Sequence, residues 1–217
     1  MLSADTFKTI FEAKTTTQIT PTRQFGRVRF TPCGTTLLAA GHDGLVHRWS
    51  LAGESPVELP QLTGHNGWVQ TVVCRTEGEL VVSADSWGGL RCGGYLGDAP
   101  AVAWTKADAH DGWILDVSLS PDGRQLATCG IDRLVRVWDA GTGTLVRELP
   151  GHTTEVFCVL FAPDGRSLFS GDLDGRVRQS HIEDGSLIRE FDAASLHLSH
   201  RLQEVGGARH LAMSASG

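Results

Sequence analysis

The 217-residue sequence predicts an all-β fold made of four successive four-stranded units. Three observations predict it. Short apolar stretches are broken every few residues by Gly, Asp, Pro or Ser, with 26 glycines in all, the composition of many strands joined by tight turns. A small residue followed by histidine recurs ahead of strand-like runs, at Gly64-His65, Ala109-His110 and Gly151-His152. The next strand then begins at Val81, Leu126 and Leu168, with an equivalent start at Leu37. The separations are 44, 45 and 42 residues, a period that marks a repeat array.

Within a copy the elements follow in fixed order. The first strand is WVQTVVC, WILDVSL or EVFCVLF, with an apolar residue nine positions after the histidine (Cys74, Leu119, Phe161). A turn follows, closed by Gly78, Gly123 or Gly165 in the contexts EG, PDG and PDG; TPCG plays this part before Leu37. Pro presets φ, Asp bonds its own backbone and Gly accepts positive φ, so these are hairpin turns. The third strand is clearest as VRVWD, where Val135 and Val137 alternate with polar residues. Outer strands are expected at Val57 to Leu62, Ala101 to Ala107, Thr144 to Leu149 and Ser186 to Phe191.

These elements divide the chain into units at 24–62, 63–107, 108–149 and 150–191. Residues 1–23 form an outer strand and linker, because TFKTIFEA is similar to TLVRELPG. Residues 192–217 form a connection and the first strand of a truncated fifth unit, because ARHLAMSASG aligns with VFCVLFAPDG. The expectation is an incomplete array with an unpaired strand at each end. Such edges need cover, from further units in a longer chain or, as the second choice, from a second chain.

The third copy combines His110, Thr128 in a strand, Asp132 in a turn and Trp138-Asp139. Here the sequence resembles the WD40-repeat β-propeller family, which implies that the four units are propeller blades. The resemblance also implies that His110, Thr128, Asp132 and Trp138 are joined by hydrogen bonds, as buried donors require acceptors. The other copies hold parts of this tetrad. Copy one keeps Asp43 and Trp49 without Gly-His; copy two keeps His65 and Ser83, with Trp87 and Gly93 at the Asp and Trp positions; copy four keeps His152, Ser170 and Asp174, with Ser180 in place of tryptophan. Blade three is expected to be the best ordered.

By the same resemblance, three sets of positions line a partner-binding face at one mouth of the ring. They are Trp68, Trp113 and Glu155; Gln70, Leu115 and Phe157; and His42, Ser86, Ile131 and Leu173. Large apolar groups clustered near solvent mark interaction surfaces, although the two indoles also fit as filler between adjacent loops.

Composition limits the partners. With 19 Lys and Arg against 25 Asp and Glu, the formal charge is −6, which gives no attraction toward phosphate backbones or anionic lipid. That argues against nucleic acid and membrane. No apolar stretch approaches a membrane span, and MLSADTFKTIFEAK lacks the pattern of a secretory signal, so a cytoplasmic location is expected. Cys33, Cys74, Cys92, Cys129 and Cys158 form no C-x-x-C pair and are read as small buried apolar side chains in a reducing compartment.

Ser or Thr, His and Asp together suggest a hydrolase triad, but they recur at one spacing in successive copies, and no nucleophile elbow, P-loop or metalloprotease motif is present. His197, His200 and His210 lack Cys or acidic partners at metal spacing. No catalytic residue, metal or cofactor is therefore assigned. The expected function is a non-catalytic scaffold or adaptor that binds another protein or peptide. The alternative is a regulatory or docking propeller within a larger enzyme whose catalytic part lies elsewhere.

Overall fold

The computed structural model describes residues 24–75, 77–192, 198–200, 203–205 and 208–213. The strand expected within 1–23 lies outside them. Sixteen strands form four antiparallel four-stranded sheets. Blade 1 holds β1 (Phe25–Phe30), β2 (Thr36–Gly41), β3 (Val46–Ser50) and β4 (Val57–Leu62); blade 2 holds β5 (Val69–Cys74), β6 (Leu80–Asp85), β7 (Leu90–Gly94) and β8 (Val102–Lys106). Blade 3 holds β9 (Ile114–Leu119), β10 (Gln125–Gly130), β11 (Val135–Asp139) and β12 (Leu145–Leu149). Blade 4 holds β13 (Val156–Phe161), β14 (Ser167–Asp172), β15 (Arg176–His181) and β16 (Leu187–Asp192). Each blade is a meander, and the first strands β1, β5, β9 and β13 lie beside one another in chain order. This is the architecture of four WD40-type propeller blades.

The sequence of each strand follows its distance from that inner row. Second strands are buried almost throughout, and in blades 2 and 3 both faces of the sheet meet a neighbouring blade. Successive residues of one strand therefore enter different cores. Val81 packs with Leu38, Val46 and Val69 between blades 1 and 2, whereas its neighbour Val82 packs with Ile114 and Trp138 between blades 2 and 3. Leu126 joins that same core, and Ala127 turns to Val159, Phe161 and Leu168 between blades 3 and 4. Outer strands are largely exposed.

Polar side chains fasten consecutive blades at their outer margins. Arg48, buried in β3, donates to Pro60 O within blade 1 and across the joint to Tyr95 O at 2.7 Å and Gly97 O at 3.0 Å. Trp104, third residue of β8, donates its indole N–H to Ala140 O of blade 3 at 3.1 Å. Arg147, third residue of β12, donates to Ile182 O, Glu183 O and Asp184 O of blade 4. Nearer the axis, Asp116 of β9 accepts from Arg27 of β1 at 2.6 Å and from the Val159 N–H of β13 at 3.2 Å.

The ladder between first and second strands shifts register at the same place in blades 2, 3 and 4, leaving Gln70, Leu115 and Phe157 unmatched. Such a bulge kinks the strand and re-aims the extra side chain.

Within the expected C-terminal connection, Leu198–His200 and Gln203–Val205 pair as an antiparallel hairpin, β17 and β18. The strand expected over 208–217 is not formed at 208–213, and 214–217 lie outside the described residues. Residue 208 nevertheless sits against blade 4: Ala208 N–H donates to Asp172 O at 2.8 Å, and Ala208 O accepts from the Cys158 thiol at 2.8 Å.

Replacing Arg48 by Met keeps much of the side-chain volume but strands the buried Tyr95 carbonyl and removes the bonds to Pro60 O and Gly97 O. At roughly 1–3 kcal/mol for each unsatisfied group, it is expected to cost at least about 2 kcal/mol in urea unfolding. Glu148→Gln, which removes only the exposed ion pair with Arg136, is expected to cost under about 1 kcal/mol. Equal losses would contradict the assignment of Arg48 as an inter-blade fastener.

Candidate functional site

The candidate site is at the end of the blades where each outer strand returns to the next first strand, and its framework is a set of buried histidines. In blade 3 the Trp138 indole N–H donates to Thr128 Oγ1 at 2.9 Å. Thr128 Oγ1 lies 2.7 Å from His110 Nε2, and His110 Nδ1 lies 2.9 Å from Asp132 Oδ1. Direction follows from chemistry: indole only donates, so the threonine proton goes to Nε2 and Nδ1 carries the proton given to Asp132. Arg136 donates to Asp132 Oδ2 at 2.6 Å. Burial opposes the charge on Asp132, but hydrogen bonds from His110 and Arg136 outweigh it and hold the carboxyl well below its usual range.

Blades 2 and 4 solve the same problem with a different carboxylate. His65 Nε2 lies 2.6 Å from Ser83 Oγ, and its Nδ1 lies 2.7 Å from Asp85 Oδ2. His152 Nε2 lies 2.7 Å from Ser170 Oγ, and its Nδ1 lies 2.8 Å from Asp172 Oδ2. This corrects the expectation for Asp174, which is exposed and outside the network. Asp85 and Asp172 end their second strands, where blades 1 and 3 have Gly41 and Gly130. A Cβ on Gly41 would stand 2.3 Å from the Asp43 carboxylate, and one on Gly130 would meet Trp113 O at 2.3 Å and His110 Nδ1 at 3.3 Å. In blades 2 and 4 the strand-end aspartate takes the histidine proton that the turn aspartate takes in blade 3.

Blade 1, without a loop histidine, uses His47 of its third strand, whose Nε2 lies 3.0 Å from Asp43 Oδ2. Trp49 is buried beside it, stacked on His47 and edge-on to Phe25. At the tryptophan position blade 2 has Gly93, where a Cβ would meet Ala101 O at 2.9 Å, and blade 4 has buried Ser180.

Ser83, His65 and Asp85, like Ser170, His152 and Asp172, are connected as in a hydrolytic triad. Both serines are buried within their sheets, so their hydroxyls serve the histidines and do not face solvent.

Released from pairing with His65, the turn of blade 2 presents Trp87, 68% exposed, while its backbone N–H donates to Asp85 Oδ1 at 2.8 Å. Trp68 and Trp113 are 49% and 39% exposed, at 5.8 Å between ring centroids and inclined at 66°. His42 stacks on Trp68 at 5.2 Å and 12°. His42, Asp43, Trp68, Trp87 and Trp113 line a cleft of about 510 Å³ over the joint of blades 1 and 2.

Of the other expected face residues, Ile131 and Leu173 are exposed, and Gln70, Leu115, Glu155 and Phe157 are half-buried, with Phe157 beneath the Arg209 guanidinium at 5.1 Å. Ser86 lines the cleft but is largely buried in its wall, where its hydroxyl accepts the Trp68 N–H at 3.0 Å and so supports the tryptophan. Trp87 was not foreseen as a face residue. The signal for it was Asp85 at the strand end, which leaves the turn position without a structural task.

The cysteines also divide. Cys92, Cys129 and Cys158 are buried, and burial raises their thiol pKa, to about 11 for Cys92 and about 12 for Cys158. Cys33 departs from the buried reading: it is exposed on a turn, where hydrogen bonds with Thr31 and Thr35 bring its thiol down to about 7.

The family model described as WD domain, G-beta repeat matches residues 105–139 and 143–179, so those segments are WD40 repeats. Protein TOPLESS of Arabidopsis thaliana is 33% identical over 93 residues, covering 42% of this chain and 8% of its own length. Polyadenylation factor subunit 2 of Cryptococcus neoformans is 29% identical over 132 residues, covering 60% and 18%. The ribosome biogenesis protein WDR12 homolog of Nematostella vectensis is 30% identical over 132 residues, covering 58% and 30%. The chain thus spans under a third of the length of each of these relatives.

Two outcomes follow from the histidine networks. Asp172→Ala strands the His152 ring N–H and the Arg176 N–H and is expected to cost at least about 2 kcal/mol, whereas Asp174→Ala stays within about 0.5 kcal/mol. A larger loss for Asp174→Ala in chemical unfolding would return the role to the turn. The second concerns pH. His152 is lowered on folding by burial, and Asp85 and Asp132 are lowered by the hydrogen bonds that overcome theirs. A depressed group contributes stability above its unfolded value and loses it as pH falls through the folded one. Asp116, raised by burial, works in the opposite direction. The melting temperature is therefore expected to fall below pH 6.5, through His152, and more steeply below pH 3.8, through the aspartates. A rise on acidification from pH 6.5 to 4 would contradict this account.

Proposed function

We propose that this chain, a carrier of WD40 repeats in four propeller blades, is a non-catalytic scaffold or adaptor that holds another protein or peptide on the face built by Trp68, Trp87 and Trp113. The observation that carries this reading is the exposure of three indoles around one cleft on rigid supports. Leaving such rings in water is costly, and large aromatic side chains in a concave setting are the usual anchors of protein interfaces. Their supports are fixed from below: the backbones of Trp68 and Trp87 are tied to Ser86 and Asp85. A preorganised face loses little entropy on binding.

Protein and peptide partners suit this surface better than nucleic acid or lipid, because the cleft lining contains no Lys or Arg and the chain carries a net charge of −6. The five unpaired thiols fit a reducing compartment, the cytoplasm being the expected one.

The test uses the complete protein as bait. Trp68→Ala with Trp113→Ala is expected to lower recovery of bound proteins at least tenfold, by removal of two interface anchors, while unfolding free energy stays within about 1 kcal/mol of the parent. Undiminished recovery by the folded double variant would move the binding surface elsewhere.

A further inference from the structure

We propose that the cleft between blades 1 and 2 receives a cationic side chain, arginine or lysine, of an extended peptide; this rests on the binding-face reading above and specifies the chemistry of the partner. Four aromatic rings, His42, Trp68, Trp87 and Trp113, line the cleft together with the Asp43 carboxylate. Aromatic faces carry negative potential and attract a cation placed over them, indole most strongly. The rings are set at different angles: His42 lies parallel to Trp68, while Trp113 is inclined to it by 66°. Such an arrangement offers faces in more than one direction to a guest, as a flat stack would not.

Charge complementarity selects among guests that could cover an aromatic cleft. The connections and turns at this end, residues 42–45, 63–68, 86–89, 107–113, 131–134, 150–155 and 173–175, carry Asp43, Asp108, Asp111, Asp132, Glu155 and Asp174 against Arg133 alone. Asp132 is paired with Arg136. Asp43 accepts from His47 and still forms part of the cleft wall, and Asp111 precedes Trp113 by two residues. An anionic guest would meet this field with no Lys or Arg in the cleft lining, and a neutral apolar guest would leave it unused. A guanidinium or ammonium on an alkyl stem uses both features, since the stem covers indole while the charge remains near carboxylates.

The support below explains why such a site can persist without its guest. Asp85 holds the Trp87 N–H, Ser86 holds the Trp68 N–H, and a Cβ on Gly67 would come within 2.6 Å of the Trp87 ring, so the loop backbone is pressed against the indole. The rings are placed by buried polar groups that belong to the fold.

The experiment is selection of a random twelve-residue peptide library on the complete protein. Enriched peptides are then measured against the parent, Trp68→Leu/Trp113→Leu and Asp43→Asn, with each variant's melting curve as a check on folding. Leucine retains apolar area but removes the π face, and asparagine retains a hydrogen-bond acceptor for His47 but removes the charge. The expected result is enrichment of peptides sharing an Arg or Lys. Their affinity should fall at least tenfold when that residue is replaced by Met and when both tryptophans are Leu, and measurably with Asp43→Asn. Peptides that need the tryptophans but tolerate Met would overturn the cationic guest and leave the binding face standing. Peptides indifferent to both tryptophans, or a library yielding no binder of this cleft, would overturn the face and the guest together.

Discussion

A buried imidazole must give its ring proton to an acceptor, and the choice of that acceptor governs much else in this protein. The histidine sits where one blade passes to the next, with its second nitrogen taken by a strand hydroxyl, as in His65 with Ser83 and His110 with Thr128. The proton then needs a carboxylate within hydrogen-bond reach. Two backbone positions can supply it, the end of the second strand or the turn two residues later. Blades 2, 3 and 4 each use one or the other. Blade 3 uses the turn, which makes Asp132 a structural residue and lets Arg136 join the pair. Blades 2 and 4 use the strand end, and their turn positions, Trp87 and Asp174, are left to face solvent. The surface available to a partner is thus a consequence of an internal hydrogen-bonding choice.

The stacking of blades imposes the other constraint. In blades 2 and 3 the second strand is sandwiched between two joints, so adjacent residues such as Val81 and Val82 serve different cores, and neither can be exchanged for a polar residue without leaving one core incomplete. Apolar packing alone does not fix the lateral position of one sheet on another. Directional contacts do this at the margins, through Arg48, Trp104 and Arg147 reaching carbonyls of the next blade, and near the axis through Asp116. These carbonyls lie in turns at the end opposite the tryptophan cleft, so side-chain N–H-to-carbonyl bonds fasten one end of the joints while histidine networks order the loops at the other.

Much of this was legible in the sequence because it is written as spacing. The four-stranded repeat, its turns and the His110, Thr128 and Trp138 set depend on backbone geometry that recurs at a fixed period. What was not legible depends on local exclusion or on contacts between distant residues. Assigning Asp174 to the His152 network followed the pattern of blade 3, whereas the occupied strand end at Asp172 settles the matter in three dimensions. Ser86, expected on the face from its position in the turn, does line the cleft, but its small hydroxyl is taken by the Trp68 N–H that leads into the adjacent strand. No local pattern announces Arg48 as a buried cation or Arg27 as the partner of Asp116, 89 residues along the chain. Cys33 differs from the other cysteines in the same manner: it lies in a turn, where its sulfur meets hydroxyls instead of apolar side chains.

The turns that follow the second strands show how local strain is distributed. Gly44, Gly88 and Gly175 take positive φ there, as a tight reversal requires, but blade 3 has Arg133 at φ 68°. A left-handed conformation costs a residue with a Cβ roughly 1–2 kcal/mol. Blade 3 is also where the turn is most firmly held, with Asp132 bonded to His110, to Arg136 and to the Leu134 N–H. The network over-determines the turn and so tolerates a residue that would otherwise relax it, which is the usual condition for strain to persist. In blade 2 the opposite arrangement holds: the turn is unstrained, its glycine permits the reversal, and the side chain carried there is a tryptophan exposed to solvent. The strained turn thus lies in the blade whose turn residues are structural, and the surface chemistry in the joint beside it, where the strand-end carboxylate has freed the turn to carry Trp87.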